Sequence, residues 1–84
     1  KIEQLIQNIG LYDTDKGTPD DLKVINGIGP KMEALLNSIG IYTYLQVSKM
    51  SKTEYDLLDA IIGSFPGRAE RENWAGQAQK LLNI

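Results

Sequence analysis

Neither cysteine nor histidine occurs among the 84 residues. Without cysteine the chain cannot be stapled by disulfides, and it has no thiolate for zinc, iron-sulfur or redox chemistry. Without histidine it lacks the commonest general base and the commonest metal ligand. An enzyme is therefore not expected, nor is a cofactor or a metal site. Long apolar runs are also missing. None exceeds a triplet such as Ala34, Leu35 and Leu36, whereas a membrane span needs about 20 apolar residues and a signal core about 7 to 15. The expectation is a soluble, cytoplasmic chain without membrane contact. A basic excess is absent too: 9 lysines and arginines face 11 aspartates and glutamates, for a net charge of -2. That speaks against a broad basic surface while leaving room for a local anion patch. What is present, 42% apolar residues, suffices for one modest core. The first residue is Lys1 rather than methionine, so a domain of a longer parent is expected, as a monomer.

Ile2, Leu5, Ile6 and Ile9 make one apolar stripe at helical spacing, predicting a helix over residues 1–9 ahead of Gly10, either a true element or the frayed end of a longer helix. Residues 11–17, LYDTDKG, carry turn formers and no period, and are predicted to link this segment, 1–17, to a domain over 18–84. Thr18, Pro19, Asp20 and Asp21 have the order of a helix start: cap, proline at the first position, acids at the positive end of the dipole. Leu22 and Ile25 then point inward. A further helix is predicted from Pro30 to about Ser38, with Met32, Leu35, Leu36 and Ile39 inward and Gly40 as its left-handed cap. Thr43 is predicted to cap a helix through Met50, with Tyr44 or Leu45 and Val47 toward the core. Ser51 and Glu54 form the capping box of the next, with Tyr55, Leu58, Ile61 and Ile62 as its apolar face and Gly63 as its end. A last helix is predicted over residues 69–82, carrying Trp74, Ala78, Leu81 and Leu82. Strand alternation is nowhere sustained, so the predicted fold is all-α.

The turn Gly27-Ile28-Gly29 is the most informative feature. Two glycines around one apolar residue allow a reversal within a few residues, Ile28 anchors it, and Pro30 starts the next helix. Backbone amides around Gly29, Lys31 and Met32 should then lie free at the positive end of a helix dipole, with Lys31 beside them. That arrangement suits an anion.

Leu22, Ile25, Gly27, Ile28, Gly29, Ala34 and Ile41 stand where the helix-hairpin-helix family has its pattern, and LKVINGIGPK over residues 22–31 resembles that family's motif. The phrases SIGIYTYLQVSKMS and IIGSFPGRAERENWAGQAQKLL resemble the second half of its five-helix, two-motif, SAM-like form, in a bacterial subgroup appended to otherwise unrelated proteins. The resemblance implies weak, sequence-independent binding of DNA or RNA backbone at the segment Gly27, Ile28, Gly29, Pro30, Lys31 and Met32, through its hairpin amides. Lys23, Arg68 and Arg71 are the other basic candidates. Aligning Ile25-Asn26-Gly27 with Ile61-Ile62-Gly63 puts Phe65 at the second glycine, so the second hairpin is a degenerate copy.

Each feature also has a plainer reading. The turn can be a tight helix connection. Arg68 and Arg71 alternate with Glu70 and Glu72 as on a solvated, salt-bridged face. Trp74 reads as core packing, and Tyr42, Tyr44 and Tyr55 are not interleaved with lysines as a stacking surface would be. DTDKG fails as a calcium loop, having Gly17 at position five and Val24 at position twelve. The turn fails as a dinucleotide fingerprint for want of glycine at Met32. The reading is thus a non-enzymatic binding module for nucleic-acid backbone. Its rival is a protein-interaction module that has lost that function, whose partner would cover the face around Tyr42, Tyr44 and Phe65.

Overall fold

Capping side chains at Asp21, Thr43, Ser51 and Asn73 set where four of the helical segments begin. The computed structural model describes residues 1–13, 15 and 17–83, so Thr14 and Lys16 of the 11–17 linker, and with them part of the rejected calcium loop, lie outside the described residues. Helices α1 (Ile2–Ile9), α2 (Pro30–Ser38), α3 (Tyr44–Ser48), α4 (Lys52–Ile62), α5 (Arg68–Arg71) and α6 (Trp74–Leu81) succeed one another, with a 3-10 turn at Leu22–Val24 before α2. No strand occurs among the described residues, and the fold is all-α.

α3 starts from a capping box in which the Gln46 amide donates to Thr43 Oγ1 at 3.1 Å and the Thr43 amide to Gln46 Oε1 at 3.2 Å. The Gln46 side chain is buried and fully used. Its Nε2 donates to the carbonyls of Gly10 and Gly40, both at 2.9 Å, tying the chain after α1 to the connection before α3. The box at Ser51 starts α4, the Ser51 amide donating to Glu54 Oε1 at 2.8 Å. Asn8 of α1 donates to the second oxygen of the same carboxylate at 3.0 Å. Hydrogen bonding, first from the Ser51 side chain, holds the Glu54 carboxyl below its ordinary range against the opposing effect of burial.

Leu5 and Ile9 of α1 are buried in the same core as Leu22, Leu36, Leu58 and Trp74. α1 packs on α4, and α3 on α6. Packing thus carries the core across the 17/18 boundary drawn from sequence. The apolar stripes are narrower than their periods suggest: Leu35, Leu45 and Leu81 are exposed, and Tyr44 takes the inward position in α3.

Two elements differ from the sequence reading. Thr18 and Pro19 start no helix. Asp20 instead accepts from the Tyr44 amide at 2.8 Å, serving the N-terminus of α3 across 24 residues. Asp21 is the cap, and it opens a single 3-10 turn. Gly27 ends the segment so soon that the tighter i to i+3 pattern, Ile25 to Leu22 at 3.0 Å and Ile28 to Ile25 at 3.1 Å, is what fits. The predicted last helix is broken at Asn73, whose φ of 51° is left-handed and whose side chain caps α6 by accepting from Gly76. Asparagine tolerates that angle and competes for backbone donors, so the break is locally inexpensive.

Candidate nucleic-acid interface

The turn over residues 26–29 is fixed from below and behind. Ile28 is buried. Gln77 of α6 grips the main chain of Asn26 on both sides, its Oε1 accepting from the Asn26 amide at 2.9 Å and its Nε2 donating to the Asn26 carbonyl at 3.2 Å. Gly27 has φ 101°, and a β-carbon there would lie 2.7 Å from Trp74 Nε1 and overlap the Glu72 carboxylate. Both the angle and the space therefore require glycine. Trp74 is 1% exposed, and its indole N–H has no acceptor among the described residues.

Gly29 is different. Its φ of -97° is one any residue adopts, and a β-carbon would meet nothing within 4 Å. Nothing inside the domain asks for glycine at this N-cap, which leaves the outward side of the backbone bare. α2 begins here with Pro30, and its first hydrogen bond is Glu33 to Gly29 at 2.9 Å. No acceptor among the described residues takes the amides of Gly29, Lys31 or Met32. These donors, the positive end of the helix dipole and the missing side chain at Gly29 make one open face suited to a tetrahedral anion.

The basic candidates differ in how far they are free. Lys31 is exposed and forms no ion pair among the described residues. Lys23 is bridged to Asp21 at 2.9 Å and Glu33 at 3.2 Å. The hydrogen bond from Lys23 holds the Asp21 carboxyl below its ordinary range, and those to Asp21 and then Glu33 raise the Lys23 ammonium. Its charge is already matched. Arg68 and Arg71 lie on α5 and reach back to the loop over residues 63–67: the Arg68 guanidinium lies over the Phe65 ring, 4.7 Å from its centre, and Arg71 donates to the Pro66 carbonyl at 3.1 Å. The salt-bridged face expected of them is not formed. Neither arginine pairs with Glu70 or Glu72 among the described residues, and Glu70 takes Lys52 at 3.2 Å instead.

A family model described as the RS2/RL21/YNQ2 HHH domain matches residues 22–82. The chain belongs to this helix-hairpin-helix family. Part of the large ribosomal subunit protein bL21 of Jannaschia sp. (strain CCS1) is 47% identical over 62 residues, 74% of this chain and 24% of that protein. Part of the small ribosomal subunit protein uS2 of Beijerinckia indica subsp. indica is 39% identical over 72 residues, 86% of this chain and 21% of that protein. The helix-hairpin-helix chain thus spans about a fifth to a quarter of these curated relatives. No solved structure matches it.

Within this helix-hairpin-helix domain, Gly27, Ile28, Gly29, Pro30, Lys31 and Met32 form one continuous turn and helix start. Ile28 and Met32 are buried beneath it, contributing shape rather than exposed side chains. Sequence reasoning missed the grip of Gln77 on Asn26 and the seat of Gly27 on Trp74. Both are contacts between segments about fifty residues apart, and no local period or cap announces them. The polar bond network of Gln46 did have a local signal, the T-x-x-Q spacing from Thr43.

Proposed function

We infer that this domain is a non-enzymatic accessory module that holds nucleic-acid backbone weakly and without sequence preference, at the amides of Gly29, Lys31 and Met32 with the Lys31 ammonium. The observation that carries the reading is the open donor face at the start of α2, where three amides lack acceptors and a glycine without internal cause leaves room for a phosphate. Relatives named as ribosomal subunit proteins make RNA the backbone to test first, in the cytoplasm. Binding stays weak because a net charge of -2 opposes approach, and only a few phosphates can be neutralised. The rival protein-interaction module is favoured by that same charge and by the pairing of Lys23 with two carboxylates.

An amide-shift titration at low salt, with duplex RNA and duplex DNA, separates the two. Backbone binding moves Gly27, Gly29, Lys31 and Met32 first, fades as salt rises, and is abolished by Lys31→Glu in a domain that still folds, since an acid suits a helix first turn. Should neither duplex move these amides, the backbone reading fails and the protein-interaction reading takes its place.

A further inference from the structure

The second loop, residues 63–67, carries an aromatic side chain that the core does not use. Phe65 is 57% exposed and belongs neither to the buried cluster nor to the half-buried residues packed on it. Its backbone is left-handed, with φ 52°, an angle that costs a bulky residue conformational energy. The burial that would ordinarily compensate for such an angle is absent. The loop is nevertheless firmly held. The Gly67 amide donates to Asp59 Oδ2 at 3.0 Å, Arg71 donates to the Pro66 carbonyl, and the Arg68 amide closes the turn onto the Phe65 carbonyl at 3.2 Å. One face of the ring is covered by the Arg68 guanidinium. Neither Arg68 nor Arg71 has a carboxylate partner among the described residues, although this acidic chain places Glu70 and Glu72 in their immediate sequence.

An exposed ring on a hydrogen-bonded loop, backed by one guanidinium and with a second bound to the same loop, neither with a carboxylate partner among the described residues, is a platform for a flat group flanked by negative charges. We propose that the second loop binds an unpaired base of a single-stranded nucleic acid, the base stacking on the open face of Phe65 while Arg68 and Arg71 meet its flanking phosphates. Stacking on an aromatic side chain tolerates any base, because every base has a π-face, and a cation behind the ring strengthens the arrangement. This inference rests on the nucleic-acid reading above. It adds a contact of a different kind: the first turn offers amides to a backbone, and the second offers a ring to a base that a duplex keeps stacked. A degenerate hairpin, with Phe65 where the first has Gly29, thereby gains a use that glycine could not serve.

The test compares fluorescence anisotropy of labelled oligo-U, oligo-dT and a duplex, each of about 12 nucleotides, within the usual single-strand site sizes. It uses the 84-residue chain and its Phe65→Leu, Phe65→Trp and Lys31→Glu variants. Amide spectra check that each variant folds. Phe65→Leu keeps apolar bulk and the local angle but removes the π-face, and should weaken single-strand binding about five- to tenfold while changing duplex binding less than about twofold. Phe65→Trp should match or exceed the wild type. A larger effect with oligo-U assigns the site to RNA and a larger effect with oligo-dT to DNA, and either supports stacking. If Phe65→Leu leaves single-strand binding unchanged or weakens duplex equally, the proposal is overturned; so too if single strands bind nowhere near Phe65 and a protein fragment occupies the loop. Lys31→Glu reports on the first turn alone. Loss of its effect, with the Phe65 effect intact, removes the backbone reading and leaves the base platform standing.

Discussion

At residues 26–29 the chain reverses against the rest of the domain, while at residues 63–67 it reverses mostly against its own neighbours. Both turns begin with a left-handed glycine, Gly27 at 101° and Gly63 at 72°. Behind Gly27 stand Trp74 and Glu72, and Gln77 holds the adjoining residue; around Gly63 a β-carbon would meet nothing within 4 Å. The apolar residue of the first turn, Ile28, is buried, whereas Phe65 of the second is exposed. The contrast teaches that two turns opened by a left-handed glycine can present different groups to the outside. The first turn is part of the core and presents only backbone outward. The second is a hydrogen-bonded rim that presents a side chain.

The most damaging way to test the first half of this contrast is to remove its support. Trp74→Ala should lower the unfolding free energy by about 3 to 5 kcal/mol, a large share of what so small a domain has. Chemical denaturation measures it, and a variant as stable as wild type would mean that the indole does not hold the turn. A finer comparison replaces the two equivalent glycines. Gly27→Ala should cost about 2 to 4 kcal/mol, combining the left-handed angle with overpacking against a buried indole that cannot swing away. Gly63→Ala should cost only about 1 kcal/mol, from the angle alone. Equal losses at both positions would erase the distinction between a seated and a free turn. The smallest effect is expected at the rim. Phe65→Asn should change stability by no more than about 0.5 kcal/mol, since asparagine relieves the left-handed angle while the contact with Arg68 is lost. A thermal melt showing a drop above about 1.5 kcal/mol would place the ring in the core after all.

Local signals in the sequence suffice where one segment decides its own shape. The boxes at Thr43 and Ser51, the left-handed end at Gly63 and the start of α2 at Pro30 each depend on residues within one turn of one another. The Gly27-Ile28-Gly29 motif was legible for the same reason. Signals failed where a residue had two local uses. Asp20 fits a helix first turn, yet it serves the N-terminus of α3. Asn73 fits a solvent-facing helix position, yet it interrupts the helix and caps the next one. Charge alternation misled over residues 68–72, because spacing along a chain does not fix which carboxylate a long side chain reaches, and Lys52 took Glu70.

By itself, then, the sequence determined that this chain is all-α, where most of its helices begin and end, and that a glycine turn exposes backbone donors ahead of α2. Those properties arise from backbone angles and hydrogen bonds that close within a few residues. Only the tertiary structure decided which cations remain free, why glycine is required at position 27 and not at 29, and that Phe65 stands outside the core with Arg68 behind it. Those properties depend on contacts between segments distant in sequence, whose partners are selected by the shape of the whole core rather than by any local pattern.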